Sequence, residues 1–575
     1  MWYGESAQSG IRCTQNSSRQ RNSQVGPEKM NLKEPLARVN PTVRWGLLAF
    51  LLCASVYLLR LDEVAGMFVD DGWYILLGKA LATGQGYTLI NSPSAGIMPV
   101  YPPAFPALLS LIFRIYPSFP ANVWLLKLPS ILGLLLSGAL AYYYLVRIHE
   151  LNRGLAFGIT VLTLLTPALV FLATSTVMSE IFFMLIQTAV FVIVERSLRV
   201  AAKGAGGLLV ITAAGLASVA FLTRSIGVGL LVAAGIYYLL NRRVLYAVAF
   251  SFVVCLMVGP WLLYARHDAL TAAQVFEQKG YITQSYSASF WQKLAGAPES
   301  GTISYRQLPR RVAGNMSEVC IRDIGGLTLP ALYRSSAESG METFGMTGDM
   351  GMATDVKIVS AVVSAFSVLG FFIVVRRKLR LSELTLLCTL PVILTWPWLP
   401  FRFLVPFTPF IFLYLVSGME GAWSASLRLL KVGASSGRSG PRNALPVPVR
   451  IFLQCAILLN LYDHGNFLLG KFHLVGSPPV MVESFSDGEM LMGWMRANLE
   501  PSAVIATENP PLVHLYTGLK TVSTSDTKEE LVRRKVNYVA HVSPFFAPPF
   551  SDADTKKQIL FETSRYHFFV LQLGP

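Results

Sequence analysis

Apolar stretches of about 20 residues, the length that crosses a bilayer as a helix, recur along this chain with short polar breaks between them. They fall near 44–61, 123–147, 154–174, 178–195, 207–223, 226–241, 244–264, 357–375, 381–397, 403–422 and 450–469. Helices satisfy their own backbone hydrogen bonds in lipid, so the pattern predicts an all-α polytopic membrane protein with about 11 transmembrane helices. The pair 207–223 and 226–241 has two readings: a tight outer turn at Thr223, Arg224 and Ser225, or one long broken helix. Between the first two spans, 72–81 reads as a short amphipathic helix that the sequence TGQGY breaks. Residues 101–117 are apolar, bounded by prolines and too short to span, which suits a helix lying in the interface plane.

After residue 470 the period changes. SDGEMLMGWMRANL predicts a helix with Ser486 or Asp487 near its N-cap. SAVIAT, KTVST, VNYVAHV and YHFFVLQL predict strands, and ENPPLVHLYTG, TKEELVRRK and DTKKQILFET predict helices between them. Such alternation implies a small α/β domain with a largely parallel sheet. The organisation expected is a disordered tail over 1–40, a transmembrane domain over 41–470 with outer loops at 62–122 and 265–356, and an α/β domain over 471–575. The late part of the second loop (SSAESGMETFGMTGDMGM) is rich in Gly and Ser. Loops of that length are commonly functional.

Composition agrees with this reading. Of 575 residues 53% are hydrophobic and 14% charged, against about 25% charged in a soluble domain, and the mean hydropathy is +0.49. The net charge of +15 does not call for nucleic acid. With the N-terminus in the cytoplasm, Arg147, Arg153, Arg196, Arg199, Lys203, Arg242, Arg243, Arg376, Arg377, Lys378, Arg380, Arg428, Lys431, Arg438, Arg442 and Arg450 all fall in inner loops. That is the positive-inside rule, loop after loop. No cleaved signal peptide is expected, because no apolar stretch follows a short basic start. The six cysteines are scattered without a CxxC or Cys/His cluster, which supports neither a disulfide framework nor a zinc site. Absence of GxGxxG and GxxxxGKS leaves nucleotide binding unsupported.

The same orientation places Asp70 and Asp71 on the outer face, just beyond the uncharged stretch 45–59. Carboxylates at a membrane surface are costly to dehydrate, which makes them candidates for chemistry on a lipid-anchored substrate. One can take the proton of an acceptor hydroxyl. A solvated helix start, where aspartate is favoured, is the alternative. Glu180 opens the fourth apolar segment. It either sits in a first helical turn capped by Ser179 or Thr176 or joins the site. Arg224 and Arg402 break the charge rule on the outer side, and a guanidinium binds phosphate bidentately. Arg402, among prolines and aromatics, can equally snorkel. Lys127, near the start of the second span, belongs to the same layer. Together these cations suggest an anionic lipid headgroup. The seven histidines are dispersed, and His514 and His567 read as structural or surface residues. Trp73, Tyr74, Tyr87, Tyr101, Trp124, Trp261, Trp396 and Trp398 suit an interfacial aromatic belt. Asn315 and Ser317 form a glycosylation sequon on the second outer loop.

These features together resemble the GT-C superfamily of membrane glycosyltransferases, and within it the protein O-mannosyltransferases and bacterial aminoarabinose transferases. The likeness rests on the acidic pair Asp70-Asp71 after the first span, the following stretch 72–87, the segment YPPAFPALLSLIFRIYP, the segment RFLVPFTPFIFLYLVSGME that begins at Arg402, and WMRANLEPSAVIATENPPLVHLYTGLKTV in the last domain. The resemblance implies a polyprenyl-phosphate sugar donor and a glycan, lipid or protein acceptor. It implies Asp70 as catalytic base with Asp71 in support, and inversion at the anomeric carbon. Position favours Arg402 and Arg224 for the lipid phosphate, with Lys127, Tyr101 and Glu180 beside them. No cofactor is certain; an acidic pair can hold Mg2+ or Mn2+, which would make Asp70 and Asp71 the ligands. There are departures. Aminoarabinose transferases tend to carry Arg two residues after the acidic pair, where this chain has Trp73, and Lys before the PP, where it has Tyr101. These argue against the same substrate. The localisation expected is a bacterial inner membrane, with the last domain extracytoplasmic. The rival class is a transporter or lipid flippase, which calls for ionisable groups near the midplane and paired broken helices.

Overall fold

In the computed structural model the described residues are 41–94, 96, 101–200, 203–267, 286–294, 300–330, 354–429, 446–475, 478–524, 527–544, 548–550 and 558–573. The expected tail over 1–40, the Gly/Ser-rich part of the second loop and the basic residues Lys431, Arg438 and Arg442 lie outside them. The chain divides into two units, Met1–Ala49 and Phe50–Pro575, and everything below concerns the second. Helix α1, Pro41–Arg60, runs across that boundary.

The apolar windows become helices. In order they are α2 (Asp70–Ala82), α3 (Ala104–Ile115), α4 (Val123–Arg147), α5 (Arg153–Leu164), α6 (Pro167–Thr174), α7 (Glu180–Arg199), α8 (Lys203–Thr223), α9 (Val228–Leu240), α10 (Val244–His267), α11 (Leu308–Glu318), α12 (Thr354–Arg377), α13 (Leu381–Thr395), α14 (Thr408–Leu429) and α15 (Val447–Lys471). Among the described residues six helices are long and apolar enough to cross a membrane, or seven if the bent pair α5–α6 is one span, and further apolar helices are shorter. This is an integral membrane protein.

Several breaks have local causes. The window 154–174 is not one helix; α5 and α6 meet at 50°. Pro167 removes a donor, and Thr166 before it is extended at ψ 119, as steric clash with the ring requires. The two readings of 207–241 resolve to two helices joined at Arg224, which is extended, and a 3-10 turn at Ser225–Gly227. Helix α2 is not amphipathic: Asp71 to Gly78 are all buried. Helix α3 keeps two faces, with Phe105, Leu109 and Phe113 buried and Leu111 and Ile115 exposed. Helices α12 and α14 cross at glycines. A Cβ on Gly370 or Gly418 would overlap the backbone of the other helix, at Tyr414 or Phe366. Small residues permit this approach where lipid offers no hydrophobic drive. The sequon asparagine is engaged: the Asn315 amide donates to the carbonyls of Ile393, Leu394 and Trp396 at 3.3, 3.0 and 2.8 Å, capping the end of α13. No described cysteine is in a disulfide.

The last part holds α16 (Val480–Asn498), α17 (Pro510–Thr517) and α18 (Lys528–Arg533), with strands β1 (Val504–Thr507), β2 (Lys520–Ser523), β3 (Tyr538–His541), β4 (Ile559–Glu562) and β5 (Phe569–Gln572). The sheet order is β2-β1-β3-β5-β4. β2, β1 and β3 are parallel, while β5 is antiparallel to both β3 and β4, so the sheet is mixed. Two expectations are corrected. The described part of DTKKQILFET is the edge strand β4, whose side chains alternate half-buried and exposed; that period-2 alternation is a strand's. Helix α16 starts at Val480, well before Ser486 and Asp487. Asp487 lies inside it and accepts from the Tyr566 amide at 2.8 Å. Ala506, Val522, Val539 and Leu571 from the strands pack with Leu531 from α18 as the core. The order 2-1-3 makes the carboxyl ends of β1 and β3 the point where connections leave in opposite directions, the usual functional edge of such sheets. That edge, through Asn509 and α17, rests on the loop that leads to Asp70.

One consequence is a pH dependence. His514 in α17 is buried, and its Nδ1 lies 2.8 Å from the Leu519 carbonyl, so Nδ1 carries the hydrogen. Burial pushes its pKa down to about 4, helped by Lys79 and Lys520 and opposed by the Leu519 bond. The unfolded chain takes a proton near 6.5 and the folded ring only near 4. Stability is therefore full above the first value and falls as pH drops toward the second, by at most about 3 kcal/mol. Melting temperature of the purified protein is expected to decline over that window, and less steeply in His514→Gln. Equal declines would contradict it.

Candidate active site

The site starts from a strained turn. Val69 sits at φ 65, ψ −60, with the Asp70 amide 2.7 Å from the Phe68 carbonyl. This is a γ-turn of the rare, strained type. A β-branched residue there is a true outlier that costs about 1–3 kcal/mol and persists only where its surroundings over-determine it. The turn ends at Asp70, the first residue of α2, and it separates the two aspartates.

Asp71 faces inward. It is fully buried and accepts the amides of Gly66 (2.8 Å), Phe68 (3.0 Å) and Gly72 (2.9 Å). Burial pushes its carboxyl up to about 6, while these amides pull it down. Its role in the structure is to hold the turn. Asp70 faces the other way and keeps 30% of its side chain exposed. Its Oδ1 accepts from the Tyr101 hydroxyl at 2.8 Å, and its Oδ2 accepts from Arg402 Nη1 at 2.6 Å. Burial, with the Asp70 charge beside it, holds the Tyr101 hydroxyl well above its ordinary pKa, so it donates. Tyr101 stands where it does because the 101–103 segment precedes α3, and its ring meets Tyr74 edge-on at 5.3 Å.

Arg402 continues the chain of charges. Its Nε donates to Glu180 Oε1 at 2.7 Å, and its Nη2 forms an ion pair with the same oxygen at 2.5 Å. The same oxygen takes Arg224 Nη1 at 2.9 Å. Among the described residues, Glu180 Oε2 is buried with no hydrogen-bond partner. Arg402 comes from the short helix Phe401–Leu404, which runs through a 3-10 turn at Val405–Phe407 into α14. Ser179 does not cap α7 with its side chain; its Oγ accepts from Arg224 Nη1 at 3.1 Å and donates to the Tyr74 hydroxyl at 2.9 Å. The structure thus brings Asp70, Tyr101, Arg402, Glu180 and Arg224 together. Lys127 is not with them. It is buried against Asp62, with Nζ 2.7 Å from both the Oδ1 and the carbonyl of that residue. Sequence reasoning missed Tyr74 as a site residue; its place one helical turn after Asp70 on α2 was the available signal. Among the described residues no three of His, Cys, Asp and Glu converge to hold a metal. The two aspartates point to different partners and do not fit a shared ion.

Two carboxylates face two guanidiniums, so the cluster is neutral as it stands. The exposed end of the chain of charges is where Asp70 and Arg402 meet.

No family model and no curated protein matches this chain. Solved structures do. AglB oligosaccharyltransferase of Archaeoglobus fulgidus, in complex with an inhibitory peptide and a dolichol-phosphate, is 12% identical with a TM-score of 0.51, covering 86% of this chain and 69% of that one. ArnT of Cupriavidus metallidurans bound to undecaprenyl phosphate is 13% identical with a TM-score of 0.51, covering 93% and 99%. Its apo form gives 14%, 0.52, 93% and 100%. The chain has the fold of the GT-C membrane glycosyltransferases, with a small C-terminal five-stranded domain.

Proposed function

We propose that this protein is a glycosyltransferase that moves a sugar from a polyprenyl-phosphate donor to an acceptor on the outer face of the membrane. The observation that carries this reading is the guanidinium shared between Asp70 and Glu180. In this reading the carboxylate base Asp70 and the phosphate ligand Arg402 are in direct contact. AglB and ArnT, whose fold this chain has, were solved with dolichol-phosphate and undecaprenyl phosphate, which supports a lipid phosphate as the anion.

In this mechanism the donor phosphate takes Arg402 from Asp70, and Glu180 keeps hold of the guanidinium and of Arg224. Asp70, relieved of its ion pair, accepts the proton of the acceptor hydroxyl. The hydroxyl oxygen bonds to the anomeric carbon as the bond from that carbon to the phosphate oxygen breaks. The electron pair leaves with the polyprenyl phosphate, whose charge the arginines neutralise. A single displacement inverts the anomeric carbon. Asp71 holds the turn, and Tyr101 orients the Asp70 carboxylate. Lys127 is outside this scheme. The charge map of the loops supports a cytoplasmic N-terminus and an outer C-terminal domain, and a bacterial inner membrane is the proposed location.

Purified protein given a panel of undecaprenyl-phosphate-linked hexoses and pentoses, with envelope extract as acceptor, is expected to release undecaprenyl phosphate. NMR of the product is expected to show the inverted anomer. Movement of intact lipid between the leaflets of a vesicle, without release from any panel member, would favour a flippase instead.

A further inference from the structure

We infer that Asn509, in the C-terminal domain, is a positioning residue for Asp70. This rests on the reading of Asp70 as the base. The strained turn at Val69 has two clamps. The inner one is Asp71, whose carboxylate takes the Gly66 and Phe68 amides. The outer one is Asn509, which is fully buried. Its Nδ2 donates to the carbonyls of Gly66 at 2.9 Å and Met67 at 3.3 Å. The two clamps thus grip the same stretch of backbone, one by its N–H groups and the other by its C=O groups.

The approach is close on both sides. Gly66 is at φ +83, and a Cβ there would stand 3.2 Å from Leu512 Cδ1. A Cβ on Gly72 would stand 3.0 Å from Pro511 Cγ. Leu512 and Pro511 follow Asn509 in α17, so the first turn of that helix is fitted to the loop. Asn509 Oδ1 acts within its own domain, where it accepts the Leu512 amide at 3.3 Å and caps α17. The two functions of this one side chain are therefore separable. Aspartate keeps a cap acceptor and has no donor for the loop, and serine keeps the cap acceptor while its shorter hydroxyl replaces the amide's two donors.

The same domain touches the outer loop elsewhere. Asn91 Nδ2 donates to Thr521 Oγ1 at 3.1 Å and to its carbonyl at 3.3 Å. That contact fastens the domain without reaching the turn, so it serves as the control.

The test measures transfer rate at saturating donor with the undecaprenyl-phosphate sugar panel, undecaprenyl phosphate binding, and hydrogen exchange of peptides covering 64–72. Variants are Asn509→Ser, Asn509→Asp, Asn91→Ala and Asp70→Asn. For both Asn509 variants the rate is expected to fall about 10- to 100-fold, the scale of a small misplacement of a catalytic group. Undecaprenyl phosphate binding is expected to stay within about threefold, since the arginines are untouched. Exchange should rise at 64–72 and not in α16 or the strands. Asn91→Ala should retain the parent rate. If Asp70→Asn is inactive and Asn509→Ser transfers like the parent, the inference is overturned and the reading of Asp70 stands. Equal slowing by Asn91→Ala and Asn509→Ser also overturns it, because docking alone would then explain both. Full transfer by Asp70→Asn overturns the reading on which it rests.

Discussion

Asp70→Asn is expected to lower sugar transfer by about a thousandfold, within the range that a positioned general base contributes. The amide cannot take the acceptor's proton, yet it fills the same space and still accepts from Tyr101. A second effect separates lost chemistry from lost structure. Asp70 Oδ2 holds Arg402 Nη1 at 2.6 Å, and in the proposed mechanism it competes with phosphate for it. Removing that charge should tighten undecaprenyl phosphate binding by about tenfold, the equivalent of one modest charged hydrogen bond. A folding defect would weaken binding as transfer falls. Weaker binding in a well-folded Asp70→Asn protein would contradict the exchange of partners.

Arg402→Ala should be as damaging by a different route. It removes the group proposed to neutralise the leaving phosphate and leaves Asp70 and Glu180 without their shared cation. Electrostatic stabilisers of this kind contribute about 10²–10³-fold, and the loss should appear both in the transfer rate and in undecaprenyl phosphate affinity. Arg402→Lys is expected to recover little. A lysine ammonium cannot span Glu180 Oε1 through two nitrogens and Asp70 through a third, which the planar guanidinium does. Recovery of most activity by lysine would show that charge alone, without the fork, is sufficient. Measuring binding and transfer for the alanine and lysine variants side by side decides it.

Much of this arrangement was legible in the chain because membrane proteins restrict charge so strongly. Arg224, Arg402 and Glu180 were conspicuous as ions at the outer ends of apolar segments. Their pairing was not, since Arg402 and Glu180 are 222 positions apart and nothing local relates them. Lys127 shows the same limit in reverse. Its depth in the sequence matches the others, but Asp62, just beyond the end of α1, claims it. The acidic pair was visible as a pair, whereas the division of labour depends on tertiary partners, Tyr101 and Arg402 for Asp70 and the Gly66 and Phe68 amides for Asp71. Asn509 gave no signal beyond that of a helix cap, because the carbonyls it holds lie in another part of the chain. The failure at β4 was a period error in a short apolar run. That at Lys127 was a missing tertiary partner. The apolar windows themselves, read by length, became helices, three of them with a proline inside (Pro129, Pro260 and Pro391), while Pro167 marks a break.

The most direct measurement is mass spectrometry of envelope glycans from cells lacking the gene, complemented with the parent protein or with Asp70→Asn at equal membrane abundance. A base at Asp70 predicts that one sugar-sized mass increment disappears without the gene, returns with the parent protein and stays absent with Asp70→Asn. Full return of the increment with Asp70→Asn would contradict it.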